Sequence, residues 1–145
     1  MKIYLDSCSL QRPLDDQAQI RIATETEAVL GVLSLWESGK IDLIGSEALD
    51  YEAEQIPKLE RRAYMKELLA KMEETIIITD SISQRAAFLV SNGIKPLDAL
   101  HLACAEEVKA DYFCTSDDKL LKKAKKLAIP ATQVVSPLEL VTKLP

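Results

Sequence analysis

The chain has 145 residues, of which 48% are apolar, only 5% aromatic and 28% charged, and its formal charge is −5. That length suits one domain with one core, and so few aromatics call for an aliphatic core of Leu, Ile, Val and Ala. The acidic balance argues against a passive coat for nucleic acid, but not against an enzyme acting on a polyanion, since bound dications reverse the local sign.

In chain order, Ile3-Tyr4-Leu5 is a short apolar run ending in Asp6 and reads as a buried strand. Ser7 to Ala18 is polar, with Pro13, Asp15 and Asp16, and reads as a loop. From Ile20 to Ser38 the residues Ile22, Val29, Leu30, Leu33 and Trp36 follow helical spacing, and Gly39 is a good stop. Ile41 to Ile44 is a second strand, Gly45-Ser46 turns the chain with Ser46 as N-cap, and Glu47 to Gln55 is helical up to the residue before Pro57. Lys58 to Met72 is a charged amphipathic helix with Leu59, Ala63, Leu69 and Met72 facing one way. The β-branched run Thr75-Ile76-Ile77-Ile78-Thr79 reads as a strand throughout, and Ser81 to Val90 as a helix.

Pro96, with its φ suited to the first helical position, opens a helix to about Lys109. In it Leu97, Leu100, His101, Cys104 and Val108 recur on one stripe, and Asp98 sits in the first turn, where the helix dipole favours an ionised acid. Asp111 to Thr115 is a strand, Asp117-Asp118 leads into a helix to Ala128, Thr132 to Val135 is a last strand, and Ser136-Pro137 caps a short final helix. Short apolar strands alternating with helices are the signature of a parallel sheet covered on both sides. The expected fold is one three-layer α/β/α sandwich with a central parallel sheet, spanning residues 1–145.

Three cysteines, Cys8, Cys104 and Cys114, are odd in number and absent from any CxxC, which reads as reduced thiols in a cytoplasmic protein. With one histidine in the chain they offer no zinc-ligand spacing. No apolar run approaches ~18 residues, so no membrane span is expected. The start meets Asp6 too early for a signal-peptide core.

In an open parallel sheet the binding crevice lies beyond the carboxyl ends of the strands. Asp6 directly follows the first strand, Asp117 follows the strand ending near Thr115, Asp98 is in the first turn of its helix, and Glu52 lies on the helix after the second strand. Four carboxylates from distant parts of the chain can share that edge. Two like charges about 4 Å apart cost on the order of 4 kcal/mol at an effective dielectric near 20, so such a group holds protons or a cation. Oxygen-only ligands select Mg²⁺ or Mn²⁺ over zinc. Asp118 competes with Asp117 for one role, and Glu47, close to its helix start, competes with Glu52. His101, three residues after Asp98, can hydrogen-bond across that helix face or simply pack. Arg12, in the loop after Asp6, is a candidate phosphate contact. Lys122-Lys123 and Lys125-Lys126 read as a solvated face or an RNA-binding strip.

Asp6-Ser7, Ser46-Glu47-Ala48-Leu49-Asp50-Tyr51-Glu52, Leu97-Asp98-Ala99-Leu100-His101-Leu102-Ala103 and Thr115-Ser116-Asp117 together resemble the PIN domain, in order and over nearly the whole chain. These are small metal-dependent ribonucleases that include the VapC toxins of bacterial toxin–antitoxin pairs. The resemblance implies that Asp6, Glu52, Asp98 and Asp117 carry the catalysis, with Asp6, Asp98 and Asp117 on Mg²⁺ or Mn²⁺. It also implies that Ser7 and Thr115 support the acids as hydroxyl donors. Cys8 stands where the family commonly has Asn or Ser. The expected function is RNA phosphodiester hydrolysis by a toxin-like homodimer with an antitoxin partner. The rival expectations are a catalytically silent RNA- or protein-binding module of the same fold, and an aspartyl phosphotransfer domain built on Asp6, against which stands Asp6-Ser7-Cys8 in place of Asp-x-Asp.

Overall fold

A computed structural model describes residues 1–145. Five strands, β1 (Lys2–Leu5), β2 (Asp42–Ser46), β3 (Glu74–Ile76), β4 (Tyr112–Cys114) and β5 (Gln133–Val135), form one sheet in the order β3-β2-β1-β4-β5. Every pairing is parallel. The helices are α1 (Ser7–Gln11), α2 (Ile20–Glu37), α3 (Glu47–Gln55), α4 (Leu59–Ala70), α5 (Asp80–Ser91), α6 (Pro96–Glu107), α7 (Asp118–Leu127) and α8 (Pro137–Val141). Among them α2 packs with α8, α5 with α6, and α3 with both α4 and α6. This is the expected α/β/α sandwich with a central parallel sheet.

The order places β1 in the middle. The chain runs outward through β2 and β3, then returns across β1 to lay down β4 and β5. Strand order therefore reverses between β1 and β4, which pair Ile3 with Tyr112, Tyr4 with Phe113 and Leu5 with Cys114. The crevice for a ligand lies beyond the carboxyl ends of strands at such a switch point, and here it opens next to Asp6 and Thr115.

Four local expectations change. The segment after Asp6 is not a loop: Asp6 accepts the Ser9 amide at 3.0 Å and caps α1, after which Arg12–Leu14 makes a 3-10 turn. The same acid that ends a strand starts a helix, a rule that acts one residue at a time and is easily masked by the polar residues following it. The strand expected over residues 75–79 stops at Ile76. Glu47 takes the Ile78 amide at 2.6 Å and Thr79 caps α5, so those backbone groups are withdrawn from the ladder. On α4, Met65 and Leu69 are buried, whereas Leu59 and Ala63 are exposed, and Leu30 of α2 likewise faces out. On α6 burial is not confined to a stripe: Ala99, Leu102, Ala103 and Ala105 are buried along with His101 and Cys104. Small side chains on this helix allow close approach by α5 on one side and the sheet on the other.

The core is largely aliphatic, as composition requires, but its two largest fully buried side chains are Tyr4 and Phe113. They stack across the β1–β4 pair with centroids 5.4 Å apart and an interplanar angle of 16°. Gly39 ends α2 at φ +75°, a conformation that L side chains rarely adopt. No helix is long and apolar enough to cross a membrane.

Candidate active site at the carboxyl edge of the sheet

Asp6 leaves β1 at the switch point with its amide donating to the Cys114 carbonyl of β4 at 3.0 Å. It is 4% exposed. Its Oδ1 accepts the Ser9 amide and the Cys8 thiol, each at 3.0 Å. Burial pushes the Asp6 carboxyl above its usual range, and hydrogen bonds from Thr115, Cys8 and Ser9 oppose that push. Cys8 is therefore a donor to the acid. The Thr115 hydroxyl lies 3.8 Å from the Cys8 Sγ and accepts the Asp117 amide at 3.0 Å. The Ser7 hydroxyl instead accepts from the Gln11 amide nitrogen at 2.7 Å; it serves α1 rather than an acid.

Asp117 caps α7, its Oδ1 accepting the Lys119 and Leu120 amides at 2.9 and 3.3 Å. Asp118 points elsewhere, in a bidentate pair with Arg21 at 2.6 and 2.8 Å. On α7 the capping position faces the crevice and the next residue faces α2. Asp98 and Asp117 line one narrow cleft between the starts of α6 and α7. Burial raises the Asp98 carboxyl above its ordinary value, repulsion from Asp6 adds to this, and Asp117 and Glu52 contribute further. Four carboxylates from four segments feel one another at one edge.

Glu52 is held by His101, whose Nε2 meets its Oε1. Glu47, the rival acid, is the residue that terminates β3. His101 is 1% exposed and its Nδ1 lies 2.5 Å from the Tyr4 hydroxyl, which in turn lies 2.6 Å from the Ser46 hydroxyl. Ser46 accepts the Leu49 amide at 3.1 Å as N-cap of α3. One assignment satisfies every group: Ser46 donates to Tyr4, Tyr4 donates to Nδ1, and Nε2–H donates to the Glu52 carboxylate. Burial keeps the Tyr4 phenol protonated by pushing it well up. A line of hydrogen bonds thus runs from the core of β1 to an acid at the edge. Sequence reasoning offered packing or a bond across α6 for His101; the actual partners are 49 and 97 residues away, and Tyr4 and Ser46 carried no signal beyond strand and cap.

Tyr4→Phe keeps the stacked ring but removes the donor to Nδ1 and the acceptor for Ser46. Leaving such groups unpaired costs about 1–3 kcal/mol. The urea midpoint is expected to fall with the m-value unchanged; an unmoved midpoint would show that the line contributes nothing to stability.

Arg12 is engaged by Glu25, its Nη2 at 2.6 Å and Nε at 3.0 Å from Oε1, and by Asp15 at 3.2 Å. Glu25 is 3% exposed. Arg61 of α4 reaches the same Asp15 at 2.9 Å and the Leu14 carbonyl at 2.7 Å. Arg12 and Arg61 therefore clamp the segment after Asp6 to α2 and α4, and the residue expected to contact phosphate already has two carboxylate partners.

As the side chains stand, no three carboxylate, imidazole or thiol groups come close enough to hold one ion among them. The acids are turned toward protein donors instead: Asp6 and Asp117 toward helix amides, Glu52 toward His101. In chemistry the set fits a hard dication, being oxygen-only, with repulsion from the other three acids acting on Asp98 after burial.

No curated protein matches the sequence. The fold is similar to VapBC2 from Rickettsia felis, solved bound to a DNA fragment from its promoter, with a TM-score of 0.62 over 94% of this chain and 98% of that one. The two are 14% identical, so this likeness is one of fold. The family model for the PIN domain matches residues 3–126, a span that contains all four acids and all but one of the strands, and on that match the chain belongs to the PIN domain family.

Proposed function

We propose that this chain is an endoribonuclease dependent on Mg²⁺ or Mn²⁺, and that it acts as the toxin of a toxin–antitoxin pair. The observation that carries the reading is the convergence of Asp6, Glu52, Asp98 and Asp117 at the β1–β4 switch point, where Asp98 is raised by burial and further by the other three. Asp6, Asp98 and Asp117 are the residues to hold the ion. A bound dication there supplies countercharge for the phosphodiester and acidifies water. The chain's own contribution is to fix the acids: Ser9 and Cys8 orient Asp6, the α7 amides orient Asp117, and His101 orients Glu52, the acid that would accept a proton from the attacking water. PIN membership supports nuclease chemistry, and the VapBC2 fold supports an antitoxin partner. A homodimer is part of the same proposal.

The test is cleavage of single-stranded RNA by the purified protein in Mg²⁺, in EDTA, and after Mn²⁺ is restored. Cleavage is expected to vanish in EDTA and return with the metal. Cleavage that persists in EDTA, or none in any metal, rejects the reading. One observation favours a silent module of the same fold, namely that no three ligating groups meet around one point. That alternative predicts RNA binding that survives Asp6→Asn with Asp98→Asn, and no cleavage by the parent.

A further inference from the structure

The cleft that holds Asp98 and Asp117 is also lined by Lys95, Lys119 and Lys123, above the buried Ile94 and Leu120. Lys95 immediately precedes α6, and Lys119 and Lys123 stand one turn apart on α7, on the same face. All three are exposed. None forms an ion pair, whereas Arg21 holds Asp118, Arg85 holds Glu106 and Lys125 holds Glu139; Lys40 and Lys143 are unpaired as well, and what distinguishes these three is that they gather around one cleft. The Lys123 ammonium donates to the Gly93 carbonyl at 3.0 Å, which anchors it beside the start of α6 and leaves its charge uncompensated. Three unpaired cations thus border two carboxylates without neutralising them.

We propose that Lys95, Lys119 and Lys123 form a cationic rim that seats the phosphates of a single-stranded RNA across the α6–α7 cleft. The nuclease reading is needed only for what then happens at the acids; the binding stands without it. A polyanion meets two obstacles on this protein, a net charge of −5 and the acidic cluster itself. Charges further than about 8 Å are largely screened at physiological salt, so the global charge matters little and the nearest cations decide the approach. Lysines at the lip of the cleft lower the potential barrier where one phosphodiester must come close to Asp98 and Asp117. Lysine is a point charge on a flexible stem, so this rim positions a strand and does not read its bases. Any preference for a cleavage sequence must arise elsewhere.

The test is fluorescence anisotropy of the full chain with a labelled single-stranded RNA of mixed sequence, in EDTA so that nothing is turned over, across a salt series. The variant is Lys95→Gln with Lys119→Gln; the control is Lys40→Gln with Lys143→Gln, which removes the same charge from exposed lysines outside the cleft. Thermal melts confirm that both variants fold. The rim variant is expected to bind about tenfold more weakly and to lose roughly 1.4 from the slope of log K against log salt, two phosphates at about 0.7 each; the control is expected to match the parent. Equal losses in the two variants, or no loss in the rim variant, would overturn the proposal and return these lysines to a solvated helix face. Because binding is read without metal, a protein that binds through the rim yet never cleaves rejects the nuclease reading alone. A protein that cleaves while its binding ignores Lys95 and Lys119 rejects the rim alone.

Discussion

Asp98→Asn is expected to lower kcat/KM for RNA cleavage about 10³-fold, roughly 4 kcal/mol of transition-state stabilisation, while leaving the metal-free protein at least as stable as the parent. The two halves have one cause. Asp98 is held above its ordinary proton affinity by burial first, then by Asp6, Asp117 and Glu52. Its ionised form is therefore less comfortable in the folded chain than in the unfolded one. An acid in the first turn of α6 gains about 0.3–1 kcal/mol from the helix dipole, and burial and repulsion from the other acids act against this gain. The unfavourable contribution grows as pH rises through the folded value and disappears below the unfolded value of about 3.9, where both states are protonated. Asparagine removes the charge and keeps the shape. In EDTA at pH 7 the variant is expected to melt at or above the parent temperature, and the difference is expected to shrink as the pH falls toward 4. A variant that cleaves RNA as the parent does counts against Asp98 as a catalytic acid. A variant that melts clearly lower at pH 7 shows instead that the carboxylate is bound by a favourable partner.

Phe113→Ala is expected to cost about 3–5 kcal/mol, the usual range for a buried phenylalanine. Against a total of about 5–15 kcal/mol for a domain, that is a large fraction, and it corresponds to a melting temperature lower by about 10–16 °C. Phe113 is fully buried on β4, next to the centre of the sheet, and its ring stacks on Tyr4 of β1. Truncation opens a cavity on the face of the sheet beside Tyr4, in the interior between sheet and helices. The loss also reaches the site, since Tyr4 carries the hydroxyl that holds His101. Phe88→Ala is the control: Phe88 is 51% exposed on α5, so its truncation is expected to move stability by well under half as much. Similar losses for the two would mean that the Tyr4–Phe113 stack is not the centre of the core.

How far the site was legible differs from residue to residue. Asp6, Asp98 and Asp117 stood out because each sits at a junction that local rules can find: an acid ending an apolar run, an acid in a first turn after Pro96, an acid opening a helix after a strand. The choice between Asp117 and Asp118 depended on which side of α7 meets Arg21, and that is a property of α2's position. The same holds for Arg12, which looked available until Glu25 and Asp15 were brought against it. What was missed is the pairing of residues whose partners lie far off in sequence. Tyr4, Ser46 and His101 come from three separate elements, and nothing in their neighbours along the chain foretells that they form one line leading to Glu52.

Periodicity, turn chemistry and the alternation of strands with helices were enough to dictate a parallel α/β sandwich and to send its acids toward one edge, because those rules operate over a few residues at a time. Packing alone settled the rest: that β1 lies at the centre with the order reversing at β4, that β3 ends early against Glu47, that α6 is buried nearly all round, and that a histidine anchors Glu52. Each of these depends on contacts between segments tens of residues apart, and the free energy of such a contact does not exist until the sheet has brought the segments together.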